Sequence, residues 1–480
     1  MPTINCRSLW TGAGPYISNA AVNIDNSGMI TSIENCSPAV FDYSFAMPSF
    51  VDAHVHFTWM VAKEVSLDLS EVRSADEFLS LVQLTAVHGT HKIVRGESFD
   101  ESEWPDTNLP TLERLDSVTG DVPVFLRRVC GHAALVNTAM LRLFDQDMPG
   151  VNRSTGVLKE WPVLNFGRMF PLPDYISANG ASRVESIICS KGITAVCTFE
   201  SFHAAETILS SISSLDMTIA VVVDDMEDIL AAGLPVKIVK IFLDGALGAR
   251  NAALFHPYPD GSVGELHYTD EELLALLLRC GEIGFSVAVH AIGGKALRQL
   301  DRVSNKVFRI LGNGHKIRVE HAEDLMSAWP GTWNPEHHIF SMQPNFVERW
   351  QRPGGMYDTI LPEEQSLRLN PFRTVVDSGF QLGFGSDCMP LDPLYGLRGA
   401  VQHRSNDESL SMEKALSAYT LDAASISGLN HLAIPLGGGR TADMVFLSGN
   451  PFDGLDGVVV EATMKSGSIV FENSVSTKGI

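Results

Sequence analysis

Cysteine is scarce in this chain, and no two cysteines are separated by just two residues. Seven cysteines are spread over 480 residues, which is too few and too dispersed for a disulfide framework or a zinc knuckle. Thiols used this sparingly are expected to be reduced and mostly buried, as in cytoplasmic proteins. The chain is therefore not a small cross-linked scaffold, and it is long enough to bury a large core.

Long apolar runs and basic residues are also lacking. No apolar run approaches the roughly 20 residues that a membrane-spanning helix needs, and the first residues lack the charged and apolar regions of a signal peptide. Lys and Arg number 35 against 57 Asp and Glu, so the formal net charge is -22. This acidity argues against nucleic acid or an anionic membrane surface as a partner. We expect a soluble cytoplasmic protein.

Two histidines, His54 and His56, end an apolar run that begins at Pro48. Side chains alternate along a strand with a period of two, so both imidazoles project from the same face. Neutral imidazole is the commonest metal-binding side chain, and such a pair forms half of a metal site. Spacing alone does not decide, because paired histidines also occur on ordinary strand faces.

The middle of the chain alternates apolar strands with helical patterns. One such helix follows Thr269, which is a suitable cap. Near-continuous apolar strands in eight β/α units favour an α/β fold of the (β/α)8 TIM-barrel type over a doubly wound sheet. The predicted strands end at His56, Phe199, Val223, Leu243, His290, His321, Gln343 and Asp387.

Both ends of the chain are rich in short strands with turns. We expect a small β-sandwich domain built from residues 1–45 and 432–480, flanking a catalytic barrel over 46–431. The interval between barrel strands one and two is too long for a structureless loop. It contains a helical pattern at 74–82 and a strand pattern at 122–129, so we expect an inserted subdomain over 60–178 above the barrel mouth.

Polar residues mark the carboxyl ends of the predicted strands. In a barrel these ends converge on one mouth, where active sites are built. Each residue alone has an ordinary structural explanation, but their shared position indicates a nitrogen and oxygen site for Zn, Mn, Fe or Ni. The candidate metal ligands are His54, His56, Lys240, His290, His321 and Asp387.

This arrangement resembles the amidohydrolase superfamily of metal-dependent hydrolases. That family has a His-x-His on strand one, a carboxylated Lys or a Glu on strand four, histidines on strands five and six, and an Asp on strand eight. The closer resemblance is to the N-substituted-formamide-deformylase-like branch, amidohydrolase family 3. Its motifs resemble Lys240-Ile241-Phe242-Leu243-Asp244-Gly245, His290-Ala291-Ile292-Gly293, Glu320-His321-Ala322, Met342-Gln343-Pro344, Gly385-Ser386-Asp387 and Gly131-His132-Ala133-Ala134-Leu135-Val136-Asn137. One departure is Gly294, where the branch usually has Asp.

The resemblance implies one or two divalent metal ions, with zinc as the expected metal. His54, His56 and Asp387 would hold the first ion, and His290 with His321 the second. The resemblance selects Lys240 over Lys237 on strand four, as a carbamate formed with carbon dioxide that bridges both ions. The alternative is a plain Lys240 ammonium paired with Asp244 or Glu200, which implies a one-metal site.

The implied activity is hydrolysis of a carbon–nitrogen bond other than a peptide bond, in a small-molecule amide or formamide. Asp387 would move the proton from the attacking water to the leaving nitrogen. His132 is a catalytic candidate that would hydrogen-bond a carbonyl oxygen, and its alternative is a structural histidine. Further candidates for the substrate pocket or its support are Trp104, Trp161, Asp244, Arg250 and Trp350. For each tryptophan the alternative is packing in the core or in a lid.

Two other functions stay open at this point. One is a mononuclear deaminase or cyclic amidohydrolase of the same fold. The other is a catalytically inactive barrel that acts as an interaction protein. Loss of metal ligands would indicate such a protein, but every ligand position in this chain is filled. Barrels of this kind often associate, so a homo-oligomer is compatible with the sequence. Other histidines, among them His267 and His338, fit no ligand position and are expected to be surface or loop residues.

Overall fold

A barrel of eight parallel strands forms the centre of the protein. The computed structural model describes residues 3–36, 38, 40–88, 92–172, 174–211, 214–312 and 315–473. The barrel strands are β1 (Phe50–Val55), β2 (Ile193–Glu200), β3 (Asp216–Val222), β4 (Ile238–Phe242), β5 (Ser286–Ala291), β6 (Ile317–His321), β7 (His338–Met342) and β8 (Gln381–Phe384). Each strand pairs in parallel with the next along the chain. The predicted α/β barrel is thereby confirmed.

The ends of β8 and β1 meet at the carboxyl edge, so that the barrel is nearly closed. The backbone N–H of Asp387 donates to the carbonyl oxygen of His54 at 2.8 Å. Gly385 permits this approach, because a Cβ there would stand 2.3 Å from the backbone nitrogen of His54. The closure brings Asp387 next to the histidines of β1.

Helices cover the barrel between its strands. Thr269 caps the predicted helix as expected, because its hydroxyl accepts from the Glu272 N–H while the Glu272 carboxylate accepts from the Thr269 N–H. Of the helices within the described ranges, none has the length and apolar character needed to cross a bilayer. The α-helices are Phe57–Glu64, Ala75–His88, Leu112–Thr119, Thr138–Leu141, Trp161–Leu164, Phe166–Met169, Asp174–Ser190, Phe202–Ser211, Met226–Ala232, Asp270–Glu282, Gly294–Leu311, Leu325–Ala328, Pro344–Phe346, Met356–Ile360, Glu363–Ser366, Phe372–Asp377, Pro393–Val401, Met412–Ala418 and Leu421–Ile426.

A second sheet joins the two ends of the chain. Its strands are Thr3–Leu9, Ile17–Ile24, Ile30–Asn35, Tyr43–Pro48, Met444–Leu447, Val460–Lys465 and Ser468–Glu472. Tyr43–Pro48 pairs antiparallel with Met444–Leu447, which links the N-terminal strands to the C-terminal ones. The sheet curls so that Met29 bridges to Thr441, and side chains from both halves share one core. The predicted sandwich thus takes the form of one continuous folded sheet.

A third sheet lies in the chain between β1 and β2. Its strands are Leu67–Asp68, Val94–Phe99, Val124–Arg128, Ala133–Val136, Val151–Asn152 and Val157–Lys159. It has its own apolar core, in which Phe78, Phe99 and Trp104 pack edge to face or tilted. The three sheets are consistent with the three predicted units. The bounds of these units remain predictions: 1–45 with 432–480, 46–431 and 60–178.

Candidate active site

A cavity of about 960 Å³ opens at the carboxyl end of the barrel, between the strand ends and the insertion sheet. Barrel geometry places the strand-end side chains there, as expected of this architecture. The candidate ligands that line it are His54, His56, Lys240, His290, His321 and Asp387. His132, from the insertion, lines the same cavity.

Three of the candidate ligands form a compact group. Ligating atoms of His54, His321 and Asp387 all lie within 4.8 Å of one another. His56 is close to the same carboxylate, with its Nε2 3.2 Å from Asp387 Oδ1. The rings of His290 and His321 have centroids 4.6 Å apart. The cavity floor is therefore a cluster of imidazoles around one carboxylate.

Hydrogen bonds behind the cluster fix which ring nitrogen faces inward. His54 Nδ1 lies 2.6 Å from Glu320 Oε2, and His321 Nδ1 lies 2.8 Å from Gln343 Oε1. Because these oxygens accept, each Nδ1 carries the proton and each Nε2 keeps its lone pair. His290 is reversed, since its Nε2 donates to the Gly245 carbonyl at 3.0 Å and leaves Nδ1 free. Such outer partners orient metal-binding imidazoles.

Four buried ligating atoms have no hydrogen-bond partner among the described residues. They are His54 Nε2, Lys240 Nζ, His290 Nδ1 and Asp387 Oδ1. Buried polar groups are normally paired, because an unpaired one loses its hydration without compensation. Four such atoms in one cavity, two of them imidazole nitrogens and one a carboxylate oxygen, fit a bound divalent cation. These residues therefore fit the implied metal.

The imidazoles are held in the neutral form that a metal requires. Burial, and then the positive charge of Lys240 and His56, hold the pKa of His54 well below its usual value. Burial together with His321 and His132 has the same effect on the pKa of His290. Their lone pairs are accordingly available at neutral pH.

Lys240 lies fully buried in β4, with its Nζ 4.1 Å from the centre of the Phe199 ring. Burial lowers the pKa of Lys240 to about 8. Neither predicted counter-ion pairs with it: Asp244 accepts three backbone N–H groups, and Glu200 accepts from Thr58 and Thr198. Lys237, in contrast, is exposed. Of the two lysines, only Lys240 reaches the cavity.

Two candidate ligands have unusual backbone conformations. His321 has φ 68° and Asp387 has φ 52°, both in the left-handed region. Non-glycine residues adopt this region at a cost, and such strain concentrates at functional sites. His321 is the last residue of β6, and Asp387 lies three residues beyond the end of β8. At both positions the backbone turns the side chain into the cavity.

His132 reaches the cavity from the insertion and is held by Glu160. Its Nδ1 lies 3.0 Å from Glu160 Oε2, and its ring centroid lies 5.2 Å from that of His290. Burial alone would lower the pKa of His132, but the carboxylates of Glu160, Asp387 and Asp244, with Glu160 foremost, together outweigh burial and raise it. Glu160 is itself positioned by Asn251, whose amide donates to Oε1 at 2.5 Å.

The predicted pocket residues separate into three groups. Trp161 lines the main cavity, and Trp350 lines an adjoining cavity of about 30 Å³. Asp244 is buried behind His290, with 3.7 Å between the carboxylate and Nε2. Trp104 does not reach the cavity, because it packs in the insertion core and donates to the Val72 carbonyl. Arg250 is also remote from the cavity, since it pairs at the surface with Asp260.

Several functional residues were missed from the sequence. Glu320 and Gln343 stand inside quoted motifs, and Arg318 and Glu320 alternate along a buried strand, which is a readable signal of inward-facing charge. Glu160 gives no such signal. Of the histidines expected in loops or at the surface, His267 is an exposed loop residue as predicted, and it also lines the cavity. His338 differs, because it is fully buried in β7, where it bonds Ser304.

Known proteins resemble this chain over most of its length. The amidohydrolase family model Amidohydro_3 matches residues 44–471. A putative amidohydrolase of Bacillus subtilis (strain 168), YtcJ, is 26% identical, covering 89% of each chain. N-substituted formamide deformylase of Arthrobacter pascens is 24% identical, covering 85% of this chain and 84% of its own. The crystal structure of an uncharacterized metal-dependent hydrolase from Pyrococcus horikoshii OT3 aligns with a TM-score of 0.73 at 23% identity, covering 95% of this chain and 99% of the other.

The matched segment contains the whole barrel, the insertion and, in whole or in part, four of the seven strands of the terminal sheet. It also contains every residue that fits a metal in the cavity. The resemblance seen in the motifs is thus confirmed, and the chain belongs to the amidohydrolase family.

Proposed function

We propose that this protein is a metal-dependent hydrolase that cleaves a carbon–nitrogen bond other than a peptide bond, in a small-molecule amide or formamide. The main support for this proposal is a set of four buried ligating atoms in one cavity that have no hydrogen-bond partner among the described residues. The relative from Arthrobacter pascens is named an N-substituted formamide deformylase, which supports this bond type.

The residues of the cavity would hold the metal in two groups. His54, His56 and Asp387 would bind one divalent ion, with zinc as the expected metal. His290 and His321 would bind a second ion. When bound, such ions lower the pKa of a water molecule and polarise the scissile carbonyl.

Lys240 would bridge the two groups as a carbamate. Its neutral amine would add to carbon dioxide, forming an N–C bond and releasing one proton to solvent. The product is an anion in place of the amine, and its charge would be compensated by the divalent ions that the neighbouring imidazoles would hold. The carbamate would then satisfy the unpaired Nζ position.

Asp387 would move the proton of the reaction. Its Oδ1 accepts no hydrogen bond from the described residues and lies 3.2 Å from His56 Nε2, in the middle of the cluster. The carboxylate would accept a proton from the attacking water and deliver it to the leaving nitrogen. His132, held by Glu160, would hydrogen-bond the carbonyl oxygen of the substrate.

Elemental mass spectrometry of protein purified without chelators, in the presence of bicarbonate, is the first test. We expect about two metal ions per chain, as in a binuclear site. A panel of N-acyl amines and formamides should then release amine, and phosphotriesters and lactones should not be hydrolysed. Protein that binds no metal and hydrolyses no amide would contradict the proposal and favour an interaction protein.

A mononuclear deaminase or cyclic amidohydrolase is the second candidate. It is favoured by one observation: within the part of the chain that the structure describes, the one group of potential ligands within 4.8 Å of one another is His54, His321 and Asp387. About one metal ion per chain, with ammonia released from aminated heterocycles or ring opening of cyclic amides, would support it. The two candidates thus differ in metal content and in product.

A further inference from the structure

One wall of the cavity has two guanidinium groups that the proposed chemistry does not use. Arg95 and Arg127 lie on neighbouring strands of the insertion sheet, Val94–Phe99 and Val124–Arg128, and both line the cavity. Glu97 is two residues from Arg95 on the same strand, so it faces the same side. This wall therefore contains two cations and one carboxylate.

The carboxylate is already engaged. Glu97 is 2% exposed, its Oε2 lies 3.2 Å from Arg127 Nε, and it accepts from the Trp59 indole at 2.7 Å. Arg95 has no carboxylate partner among the described residues. Its guanidinium donates to the Phe170 carbonyl and lies 5.0 Å from the centre of the Phe166 ring.

Another arginine of the same cavity shows the contrast. Arg168 also lines the cavity, but it is neutralised by Asp225, whose carboxylate lies 2.8 Å from Nη1. Arg95 has no such ion pair among the described residues: burial lowers its pKa to about 10 and outweighs the nearby Glu97 carboxylate, which raises the pKa. A partly desolvated guanidinium keeps its charge at neutral pH and gains strongly from an anion.

The guanidinium wall is close to the candidate metal ligands. Trp59 follows His56 by three residues, and their ring centroids lie 6.5 Å apart. The same indole donates to Glu97, so one side chain spans from the histidine cluster to the charged wall. The lining beside the histidine cluster also includes the apolar side chains of Phe199 and Phe242. One small molecule can contact both ends.

We propose that Arg95 and Arg127 form an anion subsite, and that the substrates are amides that also have a carboxylate group. A planar guanidinium binds a carboxylate through two parallel N–H···O bonds. The inference rests on the proposed amide hydrolysis and adds the charge of the substrate to it.

Matched compounds that differ by one carboxylate test the proposal. N-formylphenylalanine and N-formylphenethylamine serve as substrates, and 3-phenylpropionate and 3-phenylpropionamide serve as ligands for calorimetry on the metal-loaded protein. Arg95→Met is the main variant, because it leaves no described carboxylate without its partner. Arg127→Lys keeps the charge beside Glu97 but not the planar fork. Arg114→Met, half exposed in the same insertion, is the control.

We expect Arg95→Met to raise the KM of the carboxylate substrate and the Kd of 3-phenylpropionate by about tenfold or more. Values for the two neutral compounds should not change, and Arg114→Met should resemble the wild type. Equal affinity of the wild type for the acid and the amide, or an equal effect of Arg95→Met on both, would overturn the subsite.

The outcomes separate this inference from the function on which it rests. Hydrolysis of the neutral formamide with no advantage for the acid would leave amide hydrolysis standing and remove the subsite. Binding of the acid that depends on Arg95, without hydrolysis of any amide, would support the subsite and remove the amide assignment.

Discussion

The Glu160 carboxylate holds Nδ1 of His132 at 3.0 Å, at the point where the insertion meets the barrel mouth. Asn251, in the loop after β4, donates to the same carboxylate. Because Nδ1 is occupied, Nε2 is the nitrogen of His132 left for a substrate. The ring lies 5.2 Å from that of His290, between centroids. Glu160 is therefore a positioning residue for His132.

Replacing Glu160 by Gln should reduce catalysis. The amide keeps the shape of the side chain but removes the charge that orients His132. We expect kcat/KM for an amide substrate to fall about 10–100-fold, as for carboxylates that orient metal-bound histidines. Steady-state kinetics across pH, with thermal unfolding in parallel, checks this. Glu71→Gln, at a 90% exposed side chain of the same insertion, is the control. Unchanged kcat/KM in Glu160→Gln would contradict the role.

Replacing Asp387 by Asn should abolish turnover without unfolding the protein. Asn keeps the shape of the side chain, and no hydrogen bond to Oδ1 is lost among the described residues. Asn also tolerates the left-handed backbone, φ 52° at this position, better than Ala does. We expect kcat to fall by about 10²–10⁴-fold, the range for a positioned acid–base group. Near-normal amide hydrolysis, measured by amine release, would contradict the assignment.

The barrel could be predicted because its signals are local. The strand Ile317–His321 is buried throughout, its apolar residues Ile317 and Val319 alternate with charged ones, and its predicted end at His321 matches the structure. The end of the eighth strand could not be predicted as well. The regular strand stops at Phe384, and Asp387 lies beyond it in a left-handed turn that also bonds the His54 carbonyl. The hydrogen bond between Asp387 and His54 depends on closure of the barrel, which no local sequence pattern can predict.

The part of the site built by the insertion could not be predicted from spacing. Glu160 is 28 residues from His132, and Asn251 is 91 residues from Glu160. Trp104 has the composition of a pocket wall, yet its position is decided by packing against Phe78 and Phe99. Residue types indicate what chemistry is available, whereas the tertiary fold of the insertion decides which residues reach the cavity.

Replacing Lys240 by Met should separate metal binding from stability. Met matches the length and apolar stem of Lys and removes a buried Nζ that has no partner among the described residues. Metal content per chain should fall, because a bridging group is lost. In chelator-treated protein the variant should unfold at the same temperature as the wild type or higher. Wild-type metal content in Lys240→Met, measured by elemental mass spectrometry, would show that Lys240 is not a ligand.

Acid should destabilise the fold through His338, far from the cavity. His338 is fully buried; the Asn334 N–H donates to its Nδ1, and its Nε2 donates to Ser304 at 2.9 Å. Burial lowers the pKa of His338 to about 4 from its usual value of 6.5. Because the folded state has the lower pKa, the unfolded chain binds the proton more tightly. The stabilisation is therefore complete above pH 6.5 and is lost as the pH falls towards 4.

The loss expected from this one group is about 3 kcal/mol across that interval. Urea unfolding at several pH values should show a smaller pH dependence in His338→Gln than in the wild type, whatever the variant's stability at neutral pH. His88→Gln, at an exposed histidine that ends the helix Ala75–His88, should keep the wild-type slope. The comparison of slopes is decisive because a general packing defect shifts the free energy of unfolding at every pH. Identical slopes in wild type and His338→Gln would mean that the buried imidazole is not the group that titrates.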